Sequence, residues 1–219
     1  MVCTSIDEIG RRLVSCRLNC DGIQNKPRKG ILPRCLLLEN PNNLKEPDCI
    51  IVGINPGISN EREREYYKNN GPSYDALKRY FFDYGKICKR KYYEKLRGFA
   101  KEIGFGNAIL WTDLCKCENR TKRKPPPLQT FRTCVKHFLQ GELDLFPGAP
   151  IIAVGNQAFQ ALSYMFPLRF IIGVPHPTGS YGNFSQLFKK GRLKAKYKEM
   201  AKMNKDKHGN ANSVKLFPS

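Results

Sequence analysis

Nowhere does the chain hold a run of apolar residues approaching the roughly 18 that a bilayer-spanning helix needs, and its N-terminus lacks the apolar core of a secretory signal. Both shortages point to a soluble protein of the cell interior, with no membrane partner. Acidic residues are also scarce: 19 Asp and Glu stand against 38 Lys and Arg, a net charge of +19. So large an excess is felt by any nearby polyanion, nucleic acid first, the plain alternative being a solvated surface kept soluble by its charge. Like charge of this size also argues for a monomer. Internal repeats are lacking, and 219 residues suffice for one sizeable core. The chain therefore reads as a single domain over 1–219, with an N-terminal arm (1–48) and a basic C-terminal tail (189–219). Cysteine, by contrast, is plentiful. Nine thiols, an odd count, in a reducing compartment suggest metal more than disulfides.

Continuous Ile- and Val-rich runs at Cys49 to Ile54, Asn107 to Thr112, Pro150 to Gly155 and Arg169 to Val174 predict strands buried on both faces. Between them, Tyr74 to Phe82, Tyr92 to Ile103, Leu128 to Leu143 and Asn156 to Tyr164 carry helical spacing. Alternation of this kind predicts an α/β fold, a three-layer α/β/α sandwich around a central, mostly parallel four-stranded sheet. Residues 21–48 read as loops with one short apolar stop at Leu36 to Leu38, and Lys189 to Lys207 as a basic surface helix that frays. In such sheets ligands bind beyond the carboxyl ends of the strands, where Asn55, Asp113 and His176 fall.

Asn55 stands in "GINPG", Gly53 to Gly57, where two glycines permit a sharp exit from the first strand and Pro56 fixes a φ. An Asn amide orients a water or bonds a base or sugar edge but is no strong base; alternatively this is an ordinary Asn-Pro turn. His176 lies between two prolines in "GVPHPTGSYGNF", a stiff loop with glycines that let a ligand approach, or else it is a structural histidine.

The two loops together resemble the uracil-DNA glycosylase superfamily. "GINPG" is similar to the first motif of its mismatch-specific branch and "HPTG" to its second motif. "LWTDLCKCENRTKRKPPPLQTFRTCVKHFL" and "PIIAVGNQAFQAL" resemble its iron-sulfur branches. The resemblance covers roughly residues 48–184 and implies a monofunctional DNA glycosylase of base-excision repair. Such an enzyme flips a deaminated base, uracil as the first expectation, out of the stack and hydrolyses its N-glycosidic bond. Hypoxanthine and xanthine are alternative substrates. Asn55 would position the attacking water and His176 would stabilise the departing base, with Gly53, Ile54, Tyr74 and Asp113 around that base. The family commonly has Asn where Asp113 stands. Ionised, Asp113 suits a base that presents an amino donor; protonated, it regains a donor for uracil; or it serves as general base, or merely caps backbone. Tyr74 is either a stacking platform or a core tyrosine. Tyr181 either wedges into the duplex or is an ordinary loop aromatic. Phosphate contacts fall to Lys122, Arg123, Lys124, Lys189 and Lys190, the alternative being a solvated basic face, and Thr178, Gly179 and Ser180 join them in the expected DNA-binding set.

The resemblance further implies a structural 4Fe–4S iron-sulfur cluster on Cys16, Cys20, Cys117 and Cys134, with Cys3 or Cys35 as substitutes in the N-terminal pair. Zinc on the same four thiolates is the rival. Cys49, Cys88 and Cys115 read as small core residues. Two other classes of function stand beside catalysis: a noncatalytic nucleic-acid binder of the same fold, and a metal protein whose basic face serves assembly. Either would act inside the cell, in the cytoplasm of a prokaryote or another compartment with access to DNA.

Overall fold

The computed structural model describes residues 5–40, 44–83, 90–121, 124–178, 183–203 and 213–217. Lys122, Arg123, Gly179, Ser180 and Tyr181, and with them Cys3 and Cys88, lie outside the described residues. The helices are α1 (Ile6–Val14), α2 (Glu61–Asn70), α3 (Tyr74–Phe82), α4 (Lys91–Glu102), α5 (Leu128–Cys134), α6 (Gln140–Asp144), α7 (Asn156–Met165) and α8 (Ala195–Met203). The strands are β1 (Ile23–Gln24), β2 (Leu36–Glu39), β3 (Cys49–Gly53), β4 (Ile109–Asp113), β5 (Glu118–Asn119), β6 (Ile151–Val154), β7 (Ile171–Val174), β8 (Phe188–Lys189), β9 (Arg192–Leu193) and β10 (Val214–Lys215).

The fold is a mixed α/β arrangement with a six-stranded, mostly parallel sheet in the order β10-β7-β6-β3-β4-β2, flanked by helices. The four strands expected from apolar runs are its middle. Their registers are parallel where Ile50 meets Ile151 and Ile151 meets Ile171, and every residue of β3, β4, β6 and β7 is buried. Burial on both faces is why these segments are continuously apolar rather than alternating. Two short edge strands widen the sheet from four to six. The apolar stop at Leu36 becomes β2, and Val214 pairs in parallel with Ile172 as β10.

The chain divides into two compact units. One comprises residues 1–37, 55–88 and 112–146, the other 38–54, 89–111 and 147–219. In the first, α1 starts at Ser5, whose hydroxyl accepts from the Glu8 N–H, and buries Ile9 and Leu13. It packs on α3 across Gly10, where an added Cβ would sit 2.5 Å from the Tyr74 ring. Between α5 and α6 the helix widens to π turns over Val135–Leu139, immediately after Cys134. Such wide turns cluster at functional sites.

In the second unit α7 packs on β6 and β7. Gly173 has no Cβ because the Phe159 ring occupies that space, 2.5 Å from where one would stand. The basic tail is not one helix. β8 and β9 pair antiparallel around Lys190 and Gly191, whose φ values of 50° and 76° make the two-residue turn that strand twist favours, and α8 begins only at Ala195. A left-handed Lys-Gly pair interrupts the helical run that the lysine spacing suggests.

Candidate functional site

The first unit contains Asn55, two residues past the end of β3. Its Nδ2 donates to the Pro56 carbonyl (3.3 Å), the Cys117 carbonyl (3.4 Å) and the Asn119 Oδ1 (3.1 Å). Two of these acceptors are backbone carbonyls, so the atom facing them is nitrogen and the amide cannot be turned over. Oδ1 is thereby presented as an acceptor.

Positive φ does not shape this loop. Neither Gly53 nor Gly57 takes a positive φ, and a Cβ added at Gly57 would meet nothing within 4 Å. Buried charges hold it instead. The Arg34 guanidinium donates to the Gly57 carbonyl, to Glu118 Oε2 at 2.8 Å and pairs with Glu63 Oε1 at 3.1 Å. Glu118, fully buried, also accepts from the Ser59 N–H at 2.6 Å and from Gln24 Nε2 at 2.9 Å. Burial alone would raise the Glu118 carboxyl, but Arg34 and the Ser59 N–H hold it below the usual carboxylate range. None of Arg34, Glu63, Glu118 and Asn119 is singled out by sequence reasoning. In sequence, buried Arg and Glu look like any surface pair.

Asp113 ends β4 and is 6 % exposed. Burial pushes its carboxyl up to about 7, against the Cys35 thiol hydrogen bond and the Lys116 and Arg34 charges. Near neutrality it is thus divided between a donor and an acceptor form. Cys35, offered from sequence as a substitute metal ligand, bonds Asp113 and is not among the residues that line the cavity of the other thiols. Its φ of 66° is left-handed, a conformation a non-glycine residue takes at a cost of about 1–3 kcal/mol. Tyr74 is 3 % exposed, its ring over Gly10 and its hydroxyl donating to the Leu36 carbonyl at 2.9 Å. That packing matches the core tyrosine named as its alternative, not an open stacking platform.

Cys16, Cys20, Cys117 and Cys134 line one cavity of about 160 Å³ in the first unit, with Leu13, Pro33 and Phe138 among its other walls. Burial raises the thiols of Cys16, Cys20 and Cys117, and each is raised further by its thiol neighbours. Cys134 goes the other way: the Cys115 thiol and the Lys116 N–H, 3.3 Å from its Sγ, lower it toward thiolate. Among the described residues no three of His, Cys, Asp and Glu stand close enough to hold a single metal ion. Lys116, another wall of this cavity, and Glu142, both fully buried, pair at 2.8 Å, and Thr112 donates to the same Glu142 oxygen at 2.6 Å. Cys49 is a core residue, its thiol 3.3 Å from the Phe105 carbonyl, and Cys115 is buried beside Cys134.

The second unit carries Gly53, which closes β3, Ile54 just past it, and His176, two residues past β7. The Thr178 N–H donates to His176 Nδ1 at 3.3 Å, which puts the ring proton on Nε2, and burial lowers the imidazole pKa. A neutral ring with an Nε2–H donor results. Tyr92 lies against it, ring centroids 5.4 Å apart, and Lys95 of α4 pins the loop by donating to the Pro177 carbonyl at 2.9 Å. Thr178, Lys189 and Lys190 are exposed, as is Lys124 in the first unit.

An amide and a carboxyl in the first unit and an imidazole in the second thus stand at or just past the carboxyl ends of three strands of an open α/β sheet, the end of such sheets at which ligands bind. Residues 42–206 match the model of the Uracil DNA glycosylase superfamily, and the chain belongs to that superfamily. Comparison with curated proteins gives no match. The matched span includes Asn55, Asp113, Cys117, Cys134 and His176; Cys16 and Cys20 precede it. No described helix is long and apolar enough to cross a membrane.

Proposed function

We propose that the protein is a monofunctional DNA glycosylase that removes a deaminated base, uracil first, in base-excision repair. The observation that carries the reading is the fixed Asn55 amide, whose Nδ2 is committed to Cys117 and Asn119 so that Oδ1 is left to accept from a water. The water oxygen bonds to C1′ as the C1′–N bond breaks with its electron pair going to the base. Water gives up its proton to solvent, and the departing base takes one. His176 acts as an electrostatic stabiliser, its Nε2–H directed at the charge that develops on the base. Asp113 reads the base, donating to a carbonyl when protonated. Exposed Lys124, Lys189 and Lys190, with Lys122, Arg123 and Thr178 to Tyr181 from sequence, supply phosphate and groove contacts.

The four thiols are read as ligands of a 4Fe–4S cluster, as in the iron-sulfur branches of the superfamily. What supports the reading is that the four cysteines line one cavity, an all-thiolate set that a 4Fe–4S cluster takes, with zinc on the same four thiols as the rival. Cys16 and Cys20 of the N-terminal arm, Cys117 after β4 and Cys134 at the end of α5 would hold such a group, which would tie these segments together and supply no chemistry to the hydrolysis.

The test incubates the purified protein with fluorescent single-stranded and duplex oligonucleotides carrying uracil, hypoxanthine, xanthine or mismatched cytosine, then cleaves abasic sites with alkali. Base release that is strongly slowed, but still measurable in single turnover, in Asn55→Ala and His176→Ala supports the reading. Tight, salt-sensitive binding with no release from any substrate would make the protein a noncatalytic reader of nucleic acid.

A further inference from the structure

Asn55 is tied to one segment, and that segment is itself unusually well held. Of its three acceptors, Asn119 Oδ1 is the nearest at 3.1 Å and the only side chain; the two carbonyls lie at 3.3 Å and 3.4 Å, toward the long end for such bonds. Asn119 belongs to β5, where it pairs with Ile23 of β1, and the next N–H, that of Arg120, donates to the Gly22 carbonyl at 2.8 Å. Its neighbour Glu118 clamps Ser59, four residues beyond Asn55, through a 2.6 Å bond. Strand β5 therefore grips the loop after β3 both at its amide and at its far end. An amide left to the two long carbonyl bonds would rock about its terminal torsion, which is broad and two-fold for asparagine.

We infer that Asn119 is a positioning residue for base release: its side-chain oxygen fixes the rotation of the Asn55 amide and so aims the Asn55 oxygen at the attacking water. This rests on the glycosylase reading, and it assigns to Asn119 no contact with the base. What the position requires is an acceptor. Asp supplies one with the same reach; Leu has similar bulk and supplies none.

The experiment compares Asn119→Leu and Asn119→Asp with the wild type in single-turnover base release from the best substrate, alone and in an Asn55→Ala background. Asn119→Leu is expected to slow release about tenfold, the size of one aiming hydrogen bond, with Kd for the oligonucleotide within about twofold of wild type. Asn119→Asp is expected to restore the rate to within about threefold, and in Asn55→Ala the Leu substitution is expected to cost nothing more. Unchanged release by Asn119→Leu, or an equal loss in both backgrounds, would overturn the inference. Should Asn119→Leu fail to fold by circular dichroism, Asn119→Ala is read in its place.

An activity-free readout separates this idea from the glycosylase reading. The Asn55 side-chain amide pair, identified in a 15N–1H spectrum by its loss in Asn55→Ala, is expected to move strongly in Asn119→Leu and little in Asn119→Asp. If the wild type releases no base from any oligonucleotide, the glycosylase reading fails while the spectrum still decides the link. An Asn55 pair that does not respond to Asn119→Leu refutes the link itself.

Discussion

Replacing Asp113 with asparagine removes a buried carboxyl whose proton affinity differs sharply between the folded and unfolded chain, and the difference has a sign that can be worked out. Folding moves its pKa from an ordinary 3.8 to about 7 because burial penalises the charged form. Between those values the folded protein holds a proton that the unfolded chain has released, so stability falls as pH rises through that window. Below 3.8 both states are protonated and the group contributes no pH dependence; above 7 the whole cost of burying the charge is present. Integrated between pH 5 and pH 8, the wild type loses roughly 2.5 kcal/mol through this one residue, out of about 4 kcal/mol in all. Asparagine has the same shape and no titration, so Asp113→Asn should lack that loss. Urea unfolding of both proteins at pH 5 and pH 8 provides the measurement. With a slope of roughly 2 kcal/mol per molar, the wild-type midpoint should fall about 1 M further than that of the variant between the two conditions. Parallel midpoints for the two proteins would mean that Asp113 is not held protonated, and the account of its burial would be wrong.

Three further outcomes follow from the same geometry. Uracil release by the wild type should be fastest below pH 7, where Asp113 donates, and fall as pH rises through 7, whereas Asp113→Asn should be flat across that range; single-turnover rates from pH 5.5 to 8.5 check this. Glu118→Gln keeps the shape but leaves Arg34 only Glu63 as a charged partner, a loss of about 3–5 kcal/mol by urea unfolding if the buried pair is as tight as its 2.8 Å separation implies. Protein prepared without oxygen should carry iron and acid-labile sulfide in equal amounts, about four of each per chain. Cys117→Ala and Cys16→Ala should each lose both; wild-type protein with neither iron nor sulfide would remove the cluster from the account, and a well-folded, colourless Cys117→Ala with full activity would remove its structural role.

The fold was legible where burial imposes a continuous pattern. Ile50 to Val52, Ile109 to Trp111, Ile151 to Val154 and Ile171 to Val174 are strands covered on both faces, and their sequences allow little else. The short β10, Val214–Lys215, sits in a polar tail and owes its conformation to pairing with β7, which no local pattern encodes. Helix α1 did carry a signal, Ser5 capping Glu8 ahead of an amphipathic stretch, and would have been found by a search for that box. Helix α2, "EREREYYKNN", buries only Glu63 and Tyr67, so its charges mask any apolar stripe. Among the candidate residues, Asn55, Asp113 and His176 announced themselves as polar residues ending apolar runs. Arg34, Cys35 and Asn119 did not, because their partners lie 23 to 84 residues away along the chain, where spacing carries no information.

Four consecutive residues tie these features into one physical argument. Lys116 is buried against Glu142; Cys117 lines the thiol cavity and offers its carbonyl to Asn55; Glu118 clamps the loop at Ser59; Asn119 accepts from the Asn55 amide. A stretch so committed has no freedom to move one contact and keep the others, since a shift of half an ångström turns a 3.4 Å bond into no bond. Whatever fills the thiol cavity therefore acts on Asn55 through backbone rather than through chemistry. Removing the thiol at Cys16 leaves this stretch anchored by Glu118 and Asn119, while disturbing Cys117 loosens it at the residue that touches Asn55. If the two alanine variants lose the cluster equally, the one at Cys117 should still be the slower at base release.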